Sequence, residues 1–94
     1  MSNKLNKKRI GTFYVTEEVV YGDSAETIFS KMGFVPVNVE FSYMLNMFEM
    51  TGISHLFELH EHGKAIPEYR ITLVKKVNDK SGEEQVADVE AEML

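Results

Sequence analysis

Three histidines that lie within eight residues of one another are the side chains best suited to chemistry in this sequence. His55, His60 and His62 are accompanied by Glu58 and Glu61. In an extended segment His60 and His62 share a face, and in a helical one Glu58 and His62 stand one turn apart. Either geometry supplies two metal ligands, whereas zinc or nickel needs three or four, with His55 as the remaining candidate. The spacing matches no metal motif, so we expect a solvated loop with no bound metal or cofactor; a pH-sensitive contact is the alternative.

Other arrangements that carry catalysis do not occur in the sequence. There is no cysteine, no GxSxG turn around a serine, and neither of the glycine-rich phosphate loops GxGxxG and GxxxxGK[ST]. The paired carboxylates, Glu17 with Glu18 and Glu83 with Glu84, are adjacent on predicted strands, so their side chains point to opposite faces. We therefore predict that the chain is not an enzyme.

Composition predicts one small folded domain. The 94 residues are 44% hydrophobic and include ten aromatic side chains, six Phe and four Tyr, which favours a folded chain over a disordered one. No apolar run approaches the roughly 20 residues that span a bilayer, and none of signal-peptide length follows the basic N-terminus. Together with the lack of cysteine, this predicts a cytoplasmic protein.

Charge is distributed unevenly along the chain, whose net charge is −5. Residues 1–8 are polar and basic and are expected to form a flexible arm, and residues 9–94 are expected to form a single α+β domain. The acidic residues concentrate after position 82. A basic arm without interleaved aromatic residues is a weak signal for nucleic acid, and the acidic remainder opposes it, so nucleic acid is not the expected partner.

Residues 34–53 are the element around which the rest of the chain is expected to organise. Apolar residues occupy every second position from Val35 to Tyr43, the pattern of a half-buried strand, and the phase then reverses. A short turn produces such a reversal, so we predict two antiparallel strands, 36–43 and 47–53, joined through Met44–Asn46. The alternative is one helix over residues 40–51.

The remaining elements follow from capping and turn residues. A first strand from Ile10 is expected to be bulged near Glu17 and Glu18 and to resume at 19–21. A helix over 24–32 is expected to begin with a capping box formed by Asp23 and Glu26 and to end at Gly33.

The second half of the chain is expected to complete the sheet. Residues 54–65 are predicted to be a turn anchored by Leu56, Phe57 and Leu59. A second hairpin is predicted from 68–77 and 84–91, with a helix from Val86 as the alternative. The predicted fold is a small antiparallel sheet of about five strands with one short helix packed on a face.

A methionine and aromatic cluster beside the central turn is the predicted interaction site. Its members are Tyr43, Met44, Met47 and Met50. These side chains belong either to the core or to an exposed patch, and the pattern leaves both possibilities open. An exposed patch of this composition suits adaptable protein binding.

The segment FEMTGISHLF, followed by IPEYRI, resembles a pattern in small accessory proteins encoded by bacterial viruses, most of them uncharacterised. The resemblance covers residues 48–71 and brings no catalytic residues to this chain. It implies a small cytoplasmic protein that binds a host component and modifies its activity.

The function predicted from these features is that of a non-enzymatic protein-binding module, in the form of a phage-type accessory protein or an inhibitor of a host protein. Two alternatives stay open. One is a self-assembling structural protein, such as a homodimer, in which an edge strand pairs with its own copy. The other is an acidic mimic of nucleic acid, suggested by the 15 acidic residues.

Overall fold

Strands make up most of the structure. The computed structural model describes residues 7–61 and 63–94. In chain order the elements are β1 (Lys7–Lys8), β2 (Ile10–Val15), α1 (Glu17–Val20), α2 (Ala25–Met32), β3 (Val35–Ser42), β4 (Met47–Ile53), β5 (His60–Glu61), β6 (Tyr69–Val77) and β7 (Glu84–Met93). The α+β class is confirmed.

The strands do not form the single five-stranded sheet that the sequence suggested. One antiparallel sheet has the order β2-β4-β3, a second is the β6-β7 hairpin, and the two-residue strands β1 and β5 pair with each other. A single parallel bridge joins Thr12 to Glu68, beside a hydrogen bond from the Thr12 N–H to the Pro67 carbonyl oxygen at 2.9 Å. The hairpin separates from the sheet beyond this bridge, and β7 packs on α2. Helix α2 thereby contributes Ile28 and Met32 to a core shared by the two sheets, and its other side is exposed.

The core lies between the three-stranded sheet, α2 and the β6-β7 hairpin. Its buried apolar side chains come from all three parts and from the connection after β4: Phe13, Val15, Ile28, Met32, Met50, Phe57, Tyr69 and Val89. The predicted anchors of residues 54–65 are only partly correct. Phe57 is fully buried and stacks on the Tyr69 ring with centroids 4.4 Å apart, Leu56 is half-buried, and Leu59 is exposed.

The central hairpin is confirmed, and the helical alternative over residues 40–51 is wrong. Residues 43–46 form the turn between β3 and β4, and Asn46 takes a positive φ of 55°. However, β3 is not half-buried as its alternation suggested. It is the outer strand of its sheet, it is bulged between Pro36 and Asn38, and its residues 35–40 are all exposed.

The helices differ from the predictions at their N-termini. The strand predicted to resume at 19–21 is instead helix α1, because the Thr16 hydroxyl accepts a hydrogen bond from the Val19 N–H and caps it. Helix α2 is confirmed and ends at Gly33, whose φ is 60°. The predicted capping box is wrong, since the N-cap residue is Ser24 and its side chain makes no capping hydrogen bond.

The C-terminal hairpin is confirmed, which removes the alternative of a helix from Val86. A bulge between Val74 and Lys75 shifts the register, so Lys75 lies opposite Val86 and reaches Glu84 diagonally at 3.8 Å.

Candidate functional site

The histidine cluster does not assemble into a site in the described part of the chain. The His60 ring Nε2 lies 2.8 Å from the Lys64 carbonyl oxygen, and His55 lies beside Gly33 at the end of α2. His62 falls outside the described residues. Among residues 7–61 and 63–94, no three His, Asp or Glu side chains are placed to hold a metal ion.

Part of the expected basic arm is structured. Lys7 and Lys8 form β1, with Lys7 opposite Glu61 in β5. Arg9 donates a hydrogen bond from Nη1 to the Phe57 carbonyl oxygen at 2.8 Å. The other residues of the predicted arm, 1–6, lie outside the described residues. Residues 7–9 therefore tie the start of the domain to the connection after β4.

The methionine and aromatic cluster is divided between surface and core. Tyr43 is 89% exposed and Met44 97% exposed, whereas Met47 is half-buried and Met50 is 6% exposed. Met50 faces the core, because it lies opposite Phe13 across the β2-β4 pair. Of the four predicted members, Tyr43 and Met44 are thus presented fully to solvent, whereas Met50 is almost completely buried.

The exposed turn is held by local contacts. The Ser42 hydroxyl accepts a hydrogen bond from the Leu45 N–H at 3.3 Å. The Tyr43 ring packs edge-on against Phe41 with centroids 5.0 Å apart, and Phe41 packs in the same way on Phe48 at 5.1 Å. An aromatic ladder thus connects the exposed turn to the sheet.

Sequence reasoning missed the exposed apolar side chains that continue from this turn along β3. We call the whole surface the apolar edge; its members are Val35, Val37, Val39, Tyr43, Met44 and Leu45, all exposed. Their alternation resembled that of a half-buried strand, and only the tertiary structure shows that β3 is an outer strand left uncovered. Pro36 was a usable signal, because proline within a sheet is confined largely to edge strands and bulges.

An open groove adjoins the apolar edge on the face of the sheet that carries the core. Its volume is about 170 Å³ and its lining is almost entirely apolar: Phe29, Phe34, Pro36, Val39 and Met50. Residues at and after the end of α2, Phe29 and Phe34, thus share this groove with the edge strand β3 and its neighbour β4.

The opposite face of the sheet is acidic beside the same edge. Glu40 of β3, Glu49 of β4 and Tyr14 of β2 lie opposite one another across the three strands. Desolvation raises the pKa of the Tyr14 phenol above its ordinary value, and the carboxylates of Glu49 and Glu68 raise that pKa further. The edge of β3 therefore separates an apolar groove from a negatively charged face.

Comparisons of the chain with protein-family models, with curated proteins and with solved structures gave no match. Neither helix in the described ranges is long and apolar enough to cross a membrane.

Proposed function

We propose that this chain is a non-enzymatic protein-binding module that docks its partner on the apolar edge. The observation that carries the proposal is the exposure of six large apolar side chains on one unpaired strand and the turn that follows it. Large apolar side chains exposed together on a small domain are typical of interaction sites.

The dimensions of the molecule support an interface of ordinary size. A specific interface buries roughly 800 Å² on each partner, which is about a ninth of the 6925 Å² accessible surface of this chain. The exposed aromatic and methionine side chains of the turn, Tyr43 and Met44, are residue types enriched at interfaces. We expect them to anchor the partner and the β3 valines to extend the contact.

The resemblance of residues 48–71 to phage accessory proteins extends this proposal. The partner would be a host protein whose activity changes on binding, and the cytoplasm is the predicted location. Cell fractionation and an activity assay of the captured partner test these two extensions separately.

Self-assembly through the same strand is the second candidate, and the free edge of β3 is the observation that favours it. Edge strands present unpaired backbone groups that can pair with another copy. Size-exclusion chromatography with light scattering decides between a dimer and a monomer. A dimer that persists at low concentration would favour self-assembly over binding of a different protein.

Affinity capture from a lysate of the source organism tests the proposed function, with Tyr43→Ser/Met44→Ser as the test variant. The matched control is Val77→Ser/Met93→Ser, which removes exposed apolar side chains from the distant β6-β7 hairpin. We expect one stoichiometric partner that the wild type and the control retain in high salt and that the test variant loses. Recovery of the bait alone, or a partner that the test variant retains fully, contradicts the proposal.

A further inference from the structure

The free edge of β3 presents three kinds of recognition group side by side. The backbone of the strand is unpaired on the side away from β4 in the described structure. The apolar groove lies on one side of that edge, and Glu40 projects on the other. A ligand that uses all three must be an extended peptide whose two faces differ in chemistry.

Building on the proposed function, we propose that the partner supplies an extended segment in which apolar residues alternate with lysine or arginine, and that this segment pairs with β3 as a fourth strand. Backbone hydrogen bonds to an exposed sheet edge give affinity in such complexes, and pockets for alternate side chains give specificity. The fourth strand completes the order β2-β4-β3 on its open side.

The groove accounts for the apolar half of this pattern. Side chains of a strand point alternately to the two faces of its sheet, so every second residue of the added strand lies on the groove side of β3. The groove is lined by Phe29, Phe34 and Pro36 together with Val39, which is 47% exposed, and Met50, which is buried. Apolar side chains from the partner would fill this space and cover the exposed part of Val39.

The acidic face accounts for the basic half. Glu40 lies directly opposite Glu49, and like charges in that position repel each other. In the described part of the chain, the ion pairs are Arg70 with Glu92 and Lys75 with Glu84, both on the other sheet. An added strand runs about 4.8 Å from β3, so a lysine or arginine opposite Glu40 supplies the missing positive charge.

The same charges disfavour a second copy of this chain as the occupant. Antiparallel pairing of β3 with its own copy places both Glu40–Glu49 pairs on one face of a continuous sheet. Four carboxylates then lie on adjacent strands, and the outer face of these strands offers no cation from the described residues in return. A partner segment with lysine or arginine supplies the positive charge, whereas a second copy adds two more carboxylates and no cation to this face.

The test uses labelled synthetic peptides as long as β3 with the full-length protein. One peptide alternates valine with lysine, a second alternates valine with glutamate, and a third alternates serine with lysine. Fluorescence anisotropy measures affinity, and amide hydrogen exchange followed by NMR locates the bound peptide. We expect the valine–lysine peptide to bind most tightly and to protect amides of residues 35–42.

Two pairs of variants separate the two halves of the recognition. Glu40→Gln is expected to weaken binding of the valine–lysine peptide by about two- to fivefold, the size of a cross-strand charge pair, and the matched control Glu90→Gln to leave it unchanged. Val39→Arg is expected to weaken binding more than about tenfold, because it places a charge in the groove. Its control, Val77→Arg, removes an exposed valine from the distant hairpin and is expected to have no effect.

Each other outcome overturns the inference. If the valine–glutamate peptide binds as tightly as the valine–lysine peptide, positive charge is not recognised. If the serine–lysine peptide binds as tightly, the groove does not bind apolar side chains of the partner. A dimer that pairs through β3 would show that a second copy, and not a partner segment, occupies the edge. Unchanged amide exchange in residues 35–42 on peptide binding would show that the peptide does not add to β3 as a strand. The proposed function survives these results if capture of the lysate partner is lost in Tyr43→Ser/Met44→Ser but retained in Val39→Arg, and it fails if neither variant affects capture.

Discussion

Glu40 on the edge strand β3 lies directly opposite Glu49 on β4, and the ion pairs of the described residues involve neither of them. Two carboxylates in register on neighbouring strands reduce the stability of the sheet. Glu40 lies on the exposed edge strand, where a cation on an added strand would reduce the repulsion between the two carboxylates. The pair therefore connects the stability of the free protein to the chemistry of the partner that we propose.

Replacing Glu40 with lysine should stabilise the free protein. The change converts a repulsive cross-strand pair with Glu49 into an attractive one, a difference of about 0.2–1 kcal/mol at this exposed position. Urea denaturation measures the change in unfolding free energy. Glu90→Lys is the control for net charge, because Glu90 lies opposite the uncharged Thr72. Equal effects of the two substitutions would show that the Glu40–Glu49 pair contributes nothing specific.

Alkaline pH should weaken the fold through Tyr14. Desolvation, and then the charges of Glu49 and Glu68, raise the pKa of this phenol in the folded state. Between the ordinary value of about 10 and the raised value, the unfolded state has lost the proton and the folded state has kept it. Stability therefore falls as pH rises through this window.

The variant Tyr14→Phe should lose this part of the alkaline decline. Unfolding free energies measured by urea at neutral and alkaline pH provide the comparison with the wild type. An identical pH dependence in the two proteins would contradict the assignment to Tyr14.

Because Met44 is exposed and Met50 is buried, substitutions at the two residues should differ in their cost to stability. Met44→Ala should change stability by no more than about 0.5 kcal/mol, since Met44 is exposed. Met50→Ala should cost about 2–5 kcal/mol, because it opens a cavity in the core. Mild peroxide treatment with peptide mapping gives an independent measure, with Met44 oxidised well before Met50. Similar oxidation rates at the two residues would contradict this division.

Buried Ser54 should be essential for the contact between α2 and the connection after β4. Its hydroxyl donates to the Met32 carbonyl oxygen at 2.6 Å and accepts from the Leu56 N–H at 3.1 Å. Ser54→Ala leaves both groups without this partner and should cost about 1–3 kcal/mol in unfolding free energy. The control Ser81→Ala removes an exposed turn hydroxyl and should have little effect. If Ser54→Ala lowers the unfolding free energy no more than Ser81→Ala does, Ser54 does not stabilise this contact.

The sequence was most informative where the deciding interactions are local. The phase reversal after Leu45 located the β3-β4 turn, and Gly33 marked the end of α2. The helix α1 was missed although its signals are also local: Thr16 caps it, and Glu17 and Glu18 occupy its first turn, where negative charge is favourable. The apolar alternation of residues 13–21 favours a strand, but the local capping interactions outweigh it.

Long-range packing decided what the sequence pattern could not. The valines of β3 alternate like those of a half-buried strand, yet all of them are exposed. Met44 and Met50 were indistinguishable in composition, and only the register with Phe13 places Met50 in the core. The division of the strands into two sheets likewise depends on how β7 packs on α2.

Hydrogen–deuterium exchange of the protein, free and in complex with its captured partner, tests the central claim most directly. The account predicts that protection increases in residues 35–45, which contain the apolar edge, while the amides of β7 exchange as in the free protein. Protection confined to β7 or α1, with residues 35–45 unchanged, would contradict the assignment of the apolar edge as the docking surface.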